Sequence, residues 1–169
     1  LGGRRIIKKK TGVIKLKQEG LKKKIVEALK IENLPAVYTP ADCVLGKDED
    51  GDPPHCDFNF ASIVGMCFYL YSHSMPEIGF AISQLARFTW SSKRSHELAL
   101  IRLGQYIKGT LIKDEAMIIQ PMKLDEFKMD VMVDSDFMGL YGHEDQNDPN
   151  NVRSRTGYVI ILNGCPVVW

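Results

Sequence analysis

Two aspartates at the end of an apolar run are the residues of this chain best suited to metal chemistry. Asp134 and Asp136 stand two apart in the stretch KMDVMVDSDFMGL, residues 128–140. On a continuing strand, that spacing places both on one face. Two close carboxylates repel each other unless a cation neutralises them, and hard cations such as Mg2+ take oxygen ligands. The pair therefore predicts a divalent-metal site for phosphoryl chemistry, with a polar strand end entering a loop as the alternative.

The segments on either side of the pair have the pattern of strands. Residues 127–134 alternate between apolar and polar or mixed positions, which is the period of a strand. The run RTGYVIIL predicts a second strand, and Asn163-Gly164 is a strong signal for a two-residue hairpin. The closing CPVVW begins a third strand. We therefore expect an incomplete, three-stranded antiparallel sheet at residues 115–169.

The first two thirds of the chain have mostly helical patterns. Residues 4–18 predict a β-hairpin with its turn at Thr11-Gly12, and GLKKKIVEALK predicts a helix whose lysines mostly face away from the core. Three further helices are expected before the strands. The fold class is thus α+β, and the predicted regions are 1–32 (hairpin and basic helix), 33–57 (a proline-rich, acidic surface loop), 58–114 (helical) and 115–169 (strands).

Charge is distributed unevenly along the chain. Residues 1–30 contain eleven Lys and Arg against two Glu, a net charge of +9, while the other 139 residues carry −8, which gives the overall +1. A strongly basic segment can bind phosphate, and a solvated lysine face is the equal alternative. None of the four cysteines forms a C-x-x-C pair, which favours a reducing compartment. The longest apolar stretch, FASIVGMCFYLY, is shorter than the roughly 20 residues that a membrane-spanning helix needs.

Taken together, these segments resemble the pol polyprotein of copia-type long-terminal-repeat retrotransposons, from the late reverse transcriptase into the start of ribonuclease H. GVIKLKQEG resembles the G-x-I-x-L-x-Q pattern, and FASIVGMCFYL resembles Y-R-x-x-I/V-G-x-L-x-Y-L. MPEIGFAISQLARF and HELALIRLGQYIKGT resemble R-P-D-I-x-F-A-V-x-x-x-x-R-F and H-W-x-A-x-x-R-x-L-x-Y-L-K-G-T. VDSDFMG and RSRTGYVIILNGCPVVW resemble Y-x-D-A-D-W-A-G and R-S-T-S-G-Y-x-x-x-L-G-G-x-x-x-W. The order and spacing of the segments carry the resemblance, which covers nearly the whole chain.

The resemblance implies a role for each end of the chain. Asp134 matches the first metal-binding, catalytic aspartate of ribonuclease H, and Asp136 matches the second aspartate of its D-x-D, both as ligands of Mg2+. The basic hairpin and helix match the region of the polymerase that binds the template–primer. The implied nucleic-acid contacts are then Lys15, Lys17, Lys22, Lys23, Arg153 and Arg155.

The resemblance also implies binding partners, a cellular location and the absence of activity in this chain alone. The partners are an RNA–DNA hybrid or template–primer and the remainder of the pol polyprotein, without a membrane. The location is the cytoplasm, in a virus-like particle, with nuclear entry of the parent element as an option. The chain reads as a piece of a longer enzyme, and we expect it to be inactive alone because one or two aspartates do not hold two Mg2+ ions. Gly104 stands where the family has leucine, so we expect a cavity or a weakened helix there.

Two alternatives remain open at this point. The first is a degenerate or domesticated element that is kept as a non-enzymatic nucleic-acid-binding module. The second is a dehalogenase-type phosphatase with the motif D-x-D-x-[TV], although Met138 stands where threonine or valine is required. That family needs a parallel α/β sheet, so an antiparallel arrangement of residues 127–169 would eliminate it.

Overall fold

The computed structural model describes residues 5–8, 11–55, 57–136 and 155–169, which combine α-helices with two small sheets. The helices are α1 (Glu19–Ala28), α2 (Phe60–Ser74), α3 (Gly79–Ala86) and α4 (Arg94–Ile112), with short 3-10 turns at Pro76–Ile78 and Leu124–Glu126. The strands are β1 (Arg5–Lys8), β2 (Ile14–Lys17), β3 (Met117–Ile119), β4 (Met129–Asp136), β5 (Arg155–Leu162) and β6 (Cys165–Val168). The predicted α+β class is confirmed at this level.

The described residues fall into two compact units. The first contains residues 5–8 and 15–117, and the second contains residues 11–14, 118–136 and 155–169. The strand orders of the two sheets are β1-β2-β3 and β4-β5-β6. No helix in the described part of the chain is long and apolar enough to cross a membrane.

Both tight turns that the sequence predicts are present. Gly12, between β1 and β2, has a φ of +83°, a conformation that glycine adopts without strain. Asn163 and Gly164 have φ values of +47° and +78°, as a two-residue turn between antiparallel strands requires. The Asn163 side chain also accepts a hydrogen bond of 2.8 Å from the backbone N–H of Lys128. This contact ties the turn to the residue just before β4.

The core of the first unit is built from one apolar stripe of each helix. Ile25 of α1, Leu70 of α2 and Leu103 of α4 are fully buried, as the 3.6-residue period predicts. The nearly all-apolar composition of α2 predicts a buried helix, and the structure buries only one side of it. Phe68 and Tyr69 are 47% and 43% exposed, because α2 packs against α1 and α3 on one side and leaves its opposite side open.

Gly104 does not leave the cavity that the sequence suggests. A Cβ atom built at this position would overlap Leu29 Cδ1 and lie 2.7 Å from Ile31 Cδ1. Both of these side chains are buried, at 4% and 1% exposure. The segment that follows α1 therefore fills the space that a larger residue on α4 would occupy.

The long connection between α1 and α2 is held along α4 by side-chain hydrogen bonds, which we call the loop clamp. Lys108 donates to the carbonyls of Glu32 and Leu34, Gln105 to that of Pro35 at 2.9 Å, and Arg102 to Thr39 Oγ1 at 2.8 Å. Arg102 also pairs with Asp42 at 3.1 Å. The first residues of the connection thus lie along the C-terminal half of α4.

The clamp continues toward the N-terminus of α4, where the loop passes His96 and Lys93. His96 Nε2 lies 2.7 Å from the carbonyl oxygen of Gly46, and Lys93 Nζ donates to the carbonyls of Glu49 and Gly51 at 3.1 Å. The sequence predicts a solvated surface loop, and many of its side chains are indeed exposed. These hydrogen bonds nonetheless fix the loop to α4, and the loop runs antiparallel to the helix.

The second sheet is a regular antiparallel meander. Asp134 is paired with Gly157 and Met132 with Val159 across β4 and β5, and β6 pairs with β5 with a register irregularity between Ile160 and Ile161. The antiparallel order predicted for the strands at residues 127–134, 155–162 and 165–169 is confirmed, whereas β3, which lies within the region predicted to form this sheet, belongs to the other sheet. An antiparallel sheet excludes the parallel arrangement that the phosphatase alternative requires.

Candidate functional site

Asp134 lies near the end of the eight-residue strand β4, with its side chain exposed. The residue directly across from it on β5 is Gly157, which has no side chain to cover the carboxylate. A Cβ built at Gly157 would lie 4.0 Å from the backbone oxygen of Asp134. Among the described residues of β5, the one opposite Asp134 therefore leaves room beside its carboxylate, which suits a hydrated cation.

Asp136 follows two residues later and pairs with Arg155 in the strand register. The backbone therefore places Asp134 and Asp136 on the same face of β4, as their spacing predicts. Arg153 lies outside the described residues, as do the side chains of Asp136 and Arg155. The contacts of Arg153 and Arg155 with nucleic acid stay a prediction.

One further carboxylate shares this face, but it already has a partner. Asp130, four residues before Asp134, pairs with Lys128 at 3.1 Å. Among residues that the structure describes, no group of three or more His, Cys, Asp or Glu residues is placed to hold a metal ion. Asp134 can thus supply one anionic oxygen ligand to a cation, with water completing the coordination, which is a common arrangement for Mg2+.

The predicted nucleic-acid-binding lysines divide into two buried and two accessible residues. Lys17 is only 7% exposed and forms an ion pair with Asp114, a contact that raises the pKa of the Lys17 ammonium. Lys22 is 5% exposed and donates a hydrogen bond of 3.0 Å to Thr110 Oγ1. Burial lowers the pKa of Lys22. The expectation that the α1 lysines mostly face away from the core is therefore wrong for Lys22.

Lys23 and Lys15 remain accessible. Lys23 is exposed on α1, and Lys15 is half-buried on β2. These two residues keep an ammonium where a phosphate of a nucleic acid can reach it, whereas Lys17 and Lys22 would have to give up internal partners. Within the first unit, Lys15 and Lys23 are therefore the better candidates for contacts to phosphate.

Sequence reasoning missed the partners that bury the other two lysines. Lys17 and Asp114 are 97 residues apart, and Lys22 and Thr110 are 88 apart. The pattern of α1 alone does not reveal them, because Lys22 has the composition of a solvent-facing position. The only local signal is that Lys22 directly follows the buried Leu21, beside the stripe that packs on α4.

His96 has a structural role at the start of α4. Its Nδ1 accepts a hydrogen bond of 2.9 Å from the backbone N–H of Lys93, which caps α4. Its ring stacks on Phe88 with a centroid distance of 4.1 Å and an interplanar angle of 7°. The side chain is fully buried, so it does not contact a ligand at the surface.

No protein-family profile matches this chain, and no solved structure matches its fold.

Proposed function

We propose that this chain is a segment of a copia-type retrotransposon reverse transcriptase–ribonuclease H and binds RNA–DNA hybrid or template–primer. In the intact protein, RNA-templated DNA synthesis would be followed by Mg2+-dependent hydrolysis of the RNA strand of the hybrid. The first unit then corresponds to the end of the polymerase and its thumb and connection. The second unit corresponds to the first three strands of a ribonuclease H-like domain.

The observation that carries the proposal is the position of Asp134. An exposed aspartate stands near the end of the first strand of an antiparallel β4-β5-β6 meander, opposite a glycine that leaves its carboxylate open. This agrees with the arrangement that the resemblance implies for the first metal-binding aspartate of ribonuclease H. The basic character of residues 1–30 supports the nucleic-acid part of the proposal independently.

The donor chemistry of Asp134 fits one ligand of Mg2+ but does not make a complete catalytic site. When bound, paired Mg2+ ions activate water and stabilise the leaving oxygen of a phosphodiester. The contribution of this chain is to hold one carboxylate on a rigid strand, with Asp136 next on the same face. Because further carboxylates are needed to hold two ions, we propose that the chain alone does not cleave the hybrid.

Mg2+ binding at Asp134 is expected to be weak and local. Titration with MgCl2 should shift the backbone amide NMR signals of Asp134 and Gly157 with a Kd weaker than about 1 mM, since carboxylate-poor sites bind hard cations weakly. Asp134→Asn should remove the shifts. Asp130→Asn is the matched control and should retain them, because the Asp130 carboxylate is already paired with Lys128. If these amide signals stay unchanged up to an Mg2+ concentration of about 10 mM, the assignment of Asp134 as a ligand is wrong.

Binding of an RNA–DNA hybrid should depend on the accessible lysines and not on the buried ones. Lys15→Ala and Lys23→Ala should each weaken binding and lower the slope of log K against log salt by about 1, the loss of one phosphate contact. Lys22→Met, the neighbouring control, should leave both quantities unchanged, because the Lys22 ammonium is directed to Thr110. Fluorescence anisotropy with a labelled hybrid across a salt series measures these slopes. Equal losses of binding affinity for Lys22→Met and Lys23→Ala would argue against Lys15 and Lys23 as the contacts to phosphate.

A further inference from the structure

The C-terminal end of α4 and the loop segment beside it border an open pocket, which we call the Tyr38 pocket. Its volume is about 390 Å3, within the range of small-ligand sites. Tyr38 and Tyr106 contribute aromatic walls, Thr110 and Gly109 line it from α4, and Lys113 and Glu115 add one charge of each sign. All of these residues belong to the first unit.

The loop clamp holds the walls of this pocket in place. Lys108 and Gln105 bind the carbonyls of Leu34 and Pro35, directly before the lining segment 36–38. Gly109 allows that segment to approach α4 closely, since a Cβ there would lie 3.3 Å from the Cβ of Ala36. The pocket is thus formed in the absence of a ligand, and binding need not first order the loop.

The polar groups of the pocket are placed for a ligand that has a flat ring, N–H donors and a negative charge. Lys113 Nζ lies 5.1 Å from the centre of the Tyr38 ring and 3.8 Å from Glu115 Oε1. Both charged side chains are about half exposed, so this ion pair is weak and can open. Tyr38 itself is 86% exposed, so most of its ring surface is accessible to a ligand.

Tyr106 provides a further donor at the same place. No hydrogen bond joins its hydroxyl to another residue in the described ranges, while burial, together with the carboxylates of Glu77 and Glu115, raises its pKa. The phenol therefore stays protonated at neutral pH and can donate to an acceptor on a ligand. Tyr106 and Glu115 both line the pocket.

We propose that the Tyr38 pocket takes one unpaired guanine base of a single-stranded nucleic acid, an inference that rests on the proposed function. The base stacks on Tyr38, as bases do on exposed aromatic rings in proteins that bind single strands. Its N1–H and 2-amino group donate side by side to the Glu115 carboxylate. Lys113 leaves Glu115 and pairs with the adjacent phosphate.

The polar groups favour a guanine over other flat rings. Adenine presents one donor and one acceptor at its pairing edge, so a carboxylate repels half of that edge. A tryptophan or phenylalanine side chain of a partner protein offers at most one N–H, and it brings no anion for Lys113. Glu115 can accept both donors of a guanine edge, and Lys113, once it leaves Glu115, can pair with the phosphate of the same nucleotide.

The test compares short oligothymidylates that carry one central guanine, adenine or abasic residue, with binding measured by fluorescence anisotropy on the full chain. The guanine strand should bind about tenfold more tightly than the adenine strand, the discrimination typical of one bidentate contact to a base. Tyr38→Ala should remove the advantage of guanine over the abasic residue. Glu115→Gln should reduce the preference for guanine over adenine and retain stacking. Trp90→Ala is the control, since Trp90 is fully exposed and does not line the pocket.

The outcomes separate this inference from the proposed function. If the three strands bind equally while the RNA–DNA hybrid still binds, the pocket assignment is wrong and the proposed function stands. If the hybrid does not bind but guanosine monophosphate binds in a manner that requires Tyr38 and Glu115, the proposed function is wrong and the pocket remains a guanine site. A third result is that a tryptophan-containing peptide displaces the guanine strand where guanosine monophosphate does not. That result would show that the pocket binds an aromatic side chain of a protein partner and not a guanine base.

Discussion

Replacement of His96 by alanine is expected to lower the free energy of unfolding of the first unit by about 3 kcal/mol. The substitution removes a fully buried ring from its stack on Phe88. It also leaves two backbone groups without their partner, the N–H of Lys93 at the start of α4 and the carbonyl of Gly46 in the loop. A backbone N–H only donates and a carbonyl only accepts, so the neutral ring with its proton on Nε2 satisfies both groups.

Urea denaturation followed by far-UV circular dichroism measures this loss, because the four α-helices described above all lie in the first unit. His73→Ala is the matched control. His73 is half-buried at the surface of α2 and stacks on Tyr69, so its replacement should change stability by less than about 0.5 kcal/mol. A His96→Ala chain as stable as the His73→Ala chain would show that neither the cap nor the loop contact contributes.

Replacement of Gly104 by leucine is expected to destabilise the first unit by about 3 kcal/mol. Leucine has a strong helix propensity, and glycine costs about 1 kcal/mol against alanine in a helix interior, so the local sequence favours the substitution. The packing opposes it, because Leu29 and Ile31 already occupy the space beside Gly104. The overlap outweighs the gain in helix propensity, since both neighbours are buried and have little room to move.

A double-mutant cycle tests this explanation. Leu29→Ala should vacate the space, so the Leu29→Ala/Gly104→Leu chain should be more stable than the sum of the single losses by at least about 1 kcal/mol. Gly65→Ala is the control for helix propensity, because Gly65 is also inside a helix but has open space around it. That variant should be more stable than the parent by up to about 1 kcal/mol. Additive losses in the cycle would mean that Leu29 does not restrict position 104.

The features that sequence predicts well are those that depend on neighbours along the chain. The turns at Thr11-Gly12 and Asn163-Gly164 require only local backbone conformation, and the helices and strands follow from the period of their apolar residues. The spacing of Asp134 and Asp136 on one strand face belongs to the same class. Such features are set within a few residues, so the amino-acid pattern contains the necessary information.

The features that sequence misses depend on partners far along the chain. Lys22 has the composition of a solvent-facing residue, and only the position of Thr110 makes its burial favourable. The same holds for Gly104, whose space is filled from residues 29 and 31. His96, Arg102 and Lys108 carry part of the family resemblance, and the structure places all three against the loop.

The loop clamp also changes what kind of connection links α1 to α2. Closing a free loop of this length would cost conformational entropy in a single step. Contacts at Leu34, Thr39, Gly46 and Gly51 instead divide it into several short loops. Each short segment can then change in length at a small cost without disturbing the others. Insertions between two clamp contacts should therefore be tolerated, while a single residue inserted within α4 would rotate every later contact by about 100° and release the loop as a whole.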